Sequence, residues 1–195
     1  GVSKNDEVLI PSLNFIASTN ATLYCGGIPH FIDIEETTLG VDIKKLDDYL
    51  MNNTRKVKGR CINKKTNRMI KAIVPTHLFG HPVNMKQLSI VSKKYNLKII
   101  EDAAEGIGSF FMGKHVGTFG ECGILSFNGN KSITTGGGGA ILTKSKKLSE
   151  KARHLISVSK INSKYDLLHD QVGFNYKMTN LHAAIGCAQL EKFRK

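Results

Sequence analysis

The chain has 195 residues, 41% of them hydrophobic, enough to bury one sizeable α/β core, and no run of about 18 apolar residues marks a membrane-spanning helix. A formal charge of +12 raises the question of a polyanion partner. Much of that excess lies between Arg55 and Lys71, however, a stretch with little apolar periodicity and no aromatic ring to stack on bases, which reads as a solvated loop.

Cys25, Cys61, Cys122 and Cys187 are scattered and form no C-x-x-C pair, which excludes zinc-knuckle and dithiol redox motifs and a disulfide scaffold. They read as reduced, mostly buried thiols in a cytosolic protein. Gly1 to Asp6 shows neither the basic nor the apolar region of a signal peptide. The start, without Met and directly on a turn-like Ser-Lys-Asn-Asp stretch, reads as truncated.

In chain order, Val8-Leu9-Ile10 before Pro11 reads as a buried strand, and Phe15 to Cys25 as a helix stopped by Gly26-Gly27. His30 to Ile34 alternates like a strand. Asp42 to Met51 has helical spacing with Asp42 as cap. Lys71 to Pro75 is a strand, followed by a Gly80-His81-Pro82 turn. Asn84 caps a helix to Tyr95, and Leu97 to Ile100 is the next strand. Gly123–Phe127 and Gly139–Thr143 are further strands, while Ser145–Ile156 and Asn180–Arg194 are helices. This alternation predicts an α/β fold with a mostly parallel central sheet flanked by helices. Ligands of such sheets sit beyond the strands' carboxyl ends, at Pro11–Phe15, Pro75–Gly80, Glu101-Asp102 and Phe127–Lys131.

Two of those places carry candidate chemistry. Asp102 ends a β-branched strand among alanines, where a carboxylate is costly unless something cationic meets it. It reads either as a cap on the next turn or as the partner of a protonated ring nitrogen. Lys131 follows a strand and precedes four glycines, Gly136 to Gly139, a run suited to a sharp path or close backbone approach. It reads either as one of many solvated cations or as a lysine forming a Schiff base with a carbonyl or with pyridoxal phosphate (PLP). The stretch from Gly108 to His115 imitates a phosphate-binding loop, but His115 stands where a hydroxyl is needed and the residues after it are poor helix formers. His77 and His81 are four apart, but Gly80 and Pro82 argue against a helix there, so a turn histidine or substrate contact is favoured over a metal pair.

Taken in order, these motifs resemble the DegT/StrS family of sugar aminotransferases, fold-type I PLP enzymes. The likeness runs from Asn5-Asp-Glu-Val-Leu-Ile-Pro-Ser-Leu-Asn-Phe15 to Gly173-Phe-Asn-Tyr-Lys-Met178. Ser126-Phe-Asn-Gly-Asn-Lys-Ser-Ile-Thr-Thr-Gly-Gly-Gly-Gly139 is similar to the LegC-type branch. The resemblance implies that Lys131 is the covalent lysine and proton shuttle, that Asp102 pairs with the pyridinium nitrogen, and that Phe15 stacks on the ring. It implies Ser126 as a donor to the cofactor phosphate and Asn175 as a residue reaching the phosphate in a neighbouring subunit, hence a homodimer with shared sites. The implied reaction moves an amino group from glutamate to a nucleotide-linked keto sugar, a 4-keto-6-deoxy sugar on the route to a nonulosonic acid or related surface glycan, in the cytoplasm, with no nucleic-acid or membrane partner.

Three departures stand out. Glu105 occupies a cofactor-binding position near the phenolic oxygen where relatives carry Gln or His. The family's Gly-Thr phosphate turn and its C-terminal small domain are absent, so residues 1–195 are expected to be most of the large PLP-binding domain. Lys131 argues against the family's lysine-less sugar dehydrases. A regulatory protein on the same fold would carry a DNA-binding module, and no helix-turn-helix is evident; a basic nucleic-acid-binding domain would not need that lysine.

Overall fold

Val8, Leu9 and Ile10 form an unbroken apolar run, and all three are buried, as befits a parallel strand covered on both faces. They lie in β1 (Glu7–Pro11) of a computed structural model that describes every residue of the chain except 162, 164, 165, 194 and 195. Two compact units make up the chain, Gly1–Leu125 and Ser126–Lys195.

In the first unit, α1 (Ile16–Tyr24) follows β1 and ends where Gly26 adopts a φ of +73°. Next come β2 (Ile28–Ile32), α2 (Ile43–Asn53), β3 (Thr54–Val57), β4 (Arg60–Asn63) and β5 (Met69–Ile73). A 3-10 turn (Leu78–Gly80), α3 (Met85–Tyr95), β6 (Lys98–Asp102), β7 (Phe110–Phe111), β8 (Lys114–His115) and β9 (Cys122–Ser126) complete it. The order β9-β6-β5-β1-β2 is parallel at every step. The predicted caps hold: Asp42 Oδ1 accepts from the Lys45 N–H at 2.9 Å, and Asn84 Oδ1 from the Gln87 N–H at 3.1 Å.

The main core lies on one face of the sheet, where Leu46 and Leu50 of α2 and Met85, Leu88 and Val91 of α3 join Leu9, Ile32, Ile70 and Ile73. Val8, Ile10, Ala72 and Val74 form a smaller cluster, placed on the opposite face by the two-residue period of a strand.

Two expectations are corrected. The basic segment from Arg55 to Lys71 is not a loop: β3 pairs antiparallel with β4, and β4 with the start of β5. The hairpin's inward residues, Thr54, Cys61 and Asn63, are buried while Arg55, Lys56, Lys58 and Arg60 are exposed. Because those inward residues are small or polar, hydrophobic periodicity passed over them. The thiols are also not mostly buried: Cys25 and Cys187 are exposed, Cys122 is half-buried and Cys61 alone is buried.

In the second unit, β10 (Gly139–Leu142), α4 (Lys146–Ile156) and α5 (Asn180–Lys192) follow the predicted order. Residue 194, the predicted end of the last helix, lies outside the described residues. Ser145 caps α4 through the Leu148 N–H at 3.2 Å, and Thr179 stands at the N-cap of α5. No helix among the described residues is long and apolar enough to cross a membrane.

Candidate functional site

Because β1, β5 and β6 run parallel, their carboxyl ends open on one edge of the first unit, and Asp102 is the last residue of β6. Its backbone is held on both sides: its N–H donates to the Pro75 carbonyl and its carbonyl accepts from the His77 N–H, each at 2.9 Å. Its carboxylate is half-buried. Oδ1 accepts from the Ala104 N–H at 3.2 Å, the local turn cap the strand end suggested. Oδ2 accepts from the Ser18 hydroxyl at 2.8 Å.

Ser18 lies in the first turn of α1, whose N-cap is Phe15. The Phe15 side chain is 75% exposed, an unusual state for a large aromatic unless something covers it. One helical turn therefore links an open aromatic face to the carboxylate at the end of β6. Beside Asp102, in register with it, the buried hydroxyl of Thr76 has no hydrogen-bond partner.

The Glu105 carboxylate accepts from the Phe79 N–H at 2.9 Å. Phe79 has φ 50° and ψ 25°, a left-handed conformation that is costly for a bulky residue and that concentrates at functional sites. Glu105 thus holds the strained turn after β5.

Behind Asp102 lies a second carboxylate. Alternation along β6 sends Glu101 to the other face, where it is fully buried. Oε1 accepts from the Phe119 and Gly120 N–H groups at 2.6 and 2.7 Å. Oε2 accepts from Gly117 N–H at 2.7 Å and meets His77 Nε2 at 3.1 Å. Burial raises its pKa, but the donors of His77, Gly120 and Gly117 outweigh that and hold it below the ordinary glutamate range. His77 is thereby a buried core residue rather than a substrate contact.

In the second unit, β9's last residue, Ser126, opens the loop that carries Lys131. The loop is tied twice: Phe127 N–H donates to the Gly138 carbonyl at 3.0 Å and Thr135 N–H to the Phe127 carbonyl at 2.9 Å. Ser126 Oγ accepts from Asn128 N–H at 3.3 Å, and Lys131 N–H donates to the Asn128 carbonyl at 3.0 Å. Lys131 itself is half-buried.

The glycine run has a local reason. Gly138 has φ +100°, and a Cβ there would stand 2.9 Å from the Met178 side chain. From α5, Gln189 accepts from the Thr134 N–H at 2.9 Å, and Gly186 leaves room for the Thr135 methyl. Asn175 is exposed and bridges to Ser157 beyond α4.

The first unit thus brings Asp102 and the helix of Phe15 together and ties Glu105 to Phe79. The second gathers Ser126 and Lys131 on one loop. Ser18 was not read from the sequence, Glu101 was named there only as the neighbour of Asp102, and His77 only as a turn histidine or substrate contact. Period-2 alternation beside Asp102 signals a buried Glu101, whereas no sequence signal joins Ser18 to a residue 84 positions away.

A family model described as the DegT/DnrJ/EryC1/StrS aminotransferase family matches residues 1–195. The chain is 41% identical over 193 residues to a GDP-perosamine synthase of Escherichia coli O157:H7, covering 98% of this chain and 48% of that protein. It is 36% identical over 190 residues to a protein of Bacillus subtilis (strain 168) named as a putative pyridoxal phosphate-dependent aminotransferase, EpsN, covering 97% and 46%. A solved DegT DnrJ EryC1 StrS aminotransferase from Brucella abortus matches with a TM-score of 0.85 at 26% identity, over 97% of this chain and 48% of that one. The chain therefore spans about half the length of the curated relatives it matches. Pyridoxal phosphate is the family's cofactor, and the parallel sheet flanked by helices is the fold of its solved members. On this sequence and this fold, the chain belongs to the DegT/DnrJ/EryC1/StrS aminotransferase family.

Proposed function

We propose that this chain is most of the large, cofactor-binding domain of a cytoplasmic PLP-dependent aminotransferase that moves an amino group from glutamate to a nucleotide-linked keto sugar. The observation that carries this reading is the Asp102 carboxylate at the end of β6, oriented by two donors and one helical turn from the exposed ring of Phe15. The residues fit pyridoxal phosphate by their chemistry: a carboxylate for a ring nitrogen, an open aromatic face, a lysine on a tied loop, and a buried Thr76 hydroxyl without a partner in the protein.

When bound, that cofactor supplies the electron sink for labilising the Cα–H bond of an amino acid. In this reading Asp102 keeps the proton on the ring nitrogen, and Phe15 covers one ring face. Lys131 Nζ would take the proton from the donor's Cα and deliver it to C4′ of the cofactor, a positioned general base and acid. Ser126 would donate to the cofactor phosphate, and Glu105 would stand near its phenolic oxygen. Asn175 serves the phosphate of a second copy, which makes the active protein a homodimer.

Similarity to a GDP-perosamine synthase supports a sugar nucleotide as the acceptor. The LegC-like stretch from Ser126 to Gly139 supports a 4-keto-6-deoxy sugar destined for a surface glycan or nonulosonic acid.

The test is a visible absorption spectrum with added pyridoxal phosphate, on this chain and on a version extended to its relatives' length, each beside Lys131→Ala. A band that needs Lys131 and bleaches with glutamate is the expected result. A folded, extended protein with no lysine-dependent band would move a regulatory role ahead of catalysis.

A further inference from the structure

The Asp102 carboxylate is held by a residue outside the set of groups assigned to the cofactor. Ser18 Oγ stands 2.8 Å from Oδ2, and the Ala104 N–H stands 3.2 Å from Oδ1. Each carboxylate oxygen has two lone pairs, so both oxygens are engaged once and each keeps one pair free. Two donors on opposite oxygens fix the rotation of the carboxyl plane. The Ser18 bond, at 2.8 Å, has the ordinary length of an O–H···O hydrogen bond. Ser18 is itself fixed, since its helix continues to Thr22, whose hydroxyl donates to the Ser18 carbonyl at 3.0 Å.

We infer that Ser18 is the positioning residue of Asp102: its hydroxyl aims the carboxylate's free lone pairs toward a protonated ring nitrogen, so that cofactor affinity depends on Ser18 through Asp102. The inference rests on the proposed role of Asp102 and deepens it. Ser18 transfers no proton. It removes a rotational freedom that the carboxylate would otherwise lose on binding, which is preorganisation.

The experiment measures the dissociation constant of pyridoxal phosphate, by absorption and fluorescence titration, in the extended protein. The variants are Ser18→Ala, Ser18→Thr, Asp102→Ala and the Ser18→Ala/Asp102→Ala double variant, with thermal melts to confirm folding. We expect Ser18→Ala to weaken binding about tenfold, the scale of one hydrogen bond to a charged group. Ser18→Thr, which keeps the hydroxyl, should stay within about twofold. In the Asp102→Ala background the Ser18 penalty should vanish, because two residues acting as one unit are not additive. A cofactor analogue with carbon in place of the ring nitrogen should likewise be insensitive to Ser18.

Wild-type affinity in Ser18→Ala, or an equal penalty with and without Asp102, overturns the inference while leaving the role of Asp102 standing. Wild-type affinity in Asp102→Ala overturns both.

Discussion

His77 Nε2 lies 3.1 Å from Glu101 Oε2, and both side chains are wholly withdrawn from solvent. His77 Nδ1 accepts from the Val83 N–H at 3.2 Å, so Nε2 carries the proton and donates it to the carboxylate. Three backbone donors from residues 117–120 complete the shell around Glu101. Two loops therefore hang on one carboxylate: the turn after β5 through His77, and the segment before β9 through its amides. The His77 N–H also bonds the Asp102 carbonyl, so this buried pair stands directly behind the proposed cofactor carboxylate.

Removing one partner of a buried, hydrogen-bonded pair leaves the other uncompensated. Glu101→Ala should lower unfolding stability by about 3–5 kcal/mol, measured by urea denaturation. Lys98→Ala, which removes an exposed bridge to Glu121, should cost under about 1 kcal/mol.

Stability should also fall on the acid side. The folded pKa of Glu101 is held below the ordinary 4.5. Glu7 behaves alike: its burial is outweighed by donors from Thr66, Asn63 and His30. A carboxylate with a depressed folded pKa binds more protons unfolded than folded, so its contribution is full above about 4.5 and drains as pH falls through the folded value. Denaturation midpoints between pH 7 and 3 should show this loss, and Glu101→Gln should flatten it. An unchanged slope in that variant would place the titration elsewhere.

Gly123 pairs in register with Glu101. A Cβ at Gly123 would overlap the carbonyl oxygen and the Cα of Gly117. Those are backbone atoms and cannot rotate away, so Gly123→Ala should cost about 3 kcal/mol. Because Gly117 is one of the Glu101 donors, that cost should be non-additive with Glu101→Ala. Gly59→Ala meets nothing within 4 Å but has φ +75°, so its smaller cost should come from backbone strain alone, about 1 kcal/mol.

Thiol reactivity should sort by exposure. Cys25 and Cys187 are exposed and should react promptly with an aromatic disulfide reagent in the folded protein. Burial pushes the Cys61 thiol up, which lowers its thiolate fraction. Cys61 should react at the rate of unfolding, so urea should accelerate it while leaving Cys25 unchanged.

The helix caps offer a further check. Asp42→Ala and Asn84→Ala should each cost about 1 kcal/mol and nearly add, since they cap different helices.

Most elements were legible because their signals are local. Val8-Leu9-Ile10, the caps at Asp42 and Asn84, and the stop at Gly26 depend on a few neighbouring residues and on periods of 2 or 3.6. The β3–β4 hairpin was not legible, since its inward positions are Thr54, Cys61 and Asn63 and its turn sits at Lys58-Gly59 amid cations. Exposure of Cys25 and Cys187 was missed for a related reason: a thiol's burial is set by what packs on its helix, and no periodicity encodes that.

Read alone, the residues gave the succession of the principal strands and helices outside the β3–β4 and β7–β8 hairpins, the family resemblance, and the candidacy of Asp102, Lys131, Phe15, Glu105, Ser126 and Asn175. What surrounds those side chains was set by folding. It set Ser18 on Asp102, Glu105 on the strained Phe79 turn, and Glu101 beneath its neighbour among four N–H donors. Distance along the chain accounts for the difference. Backbone conformation follows from neighbours within a few residues, whereas a hydrogen bond between residues 18 and 102 exists only once the parallel sheet has brought β1 and β6 to the same edge.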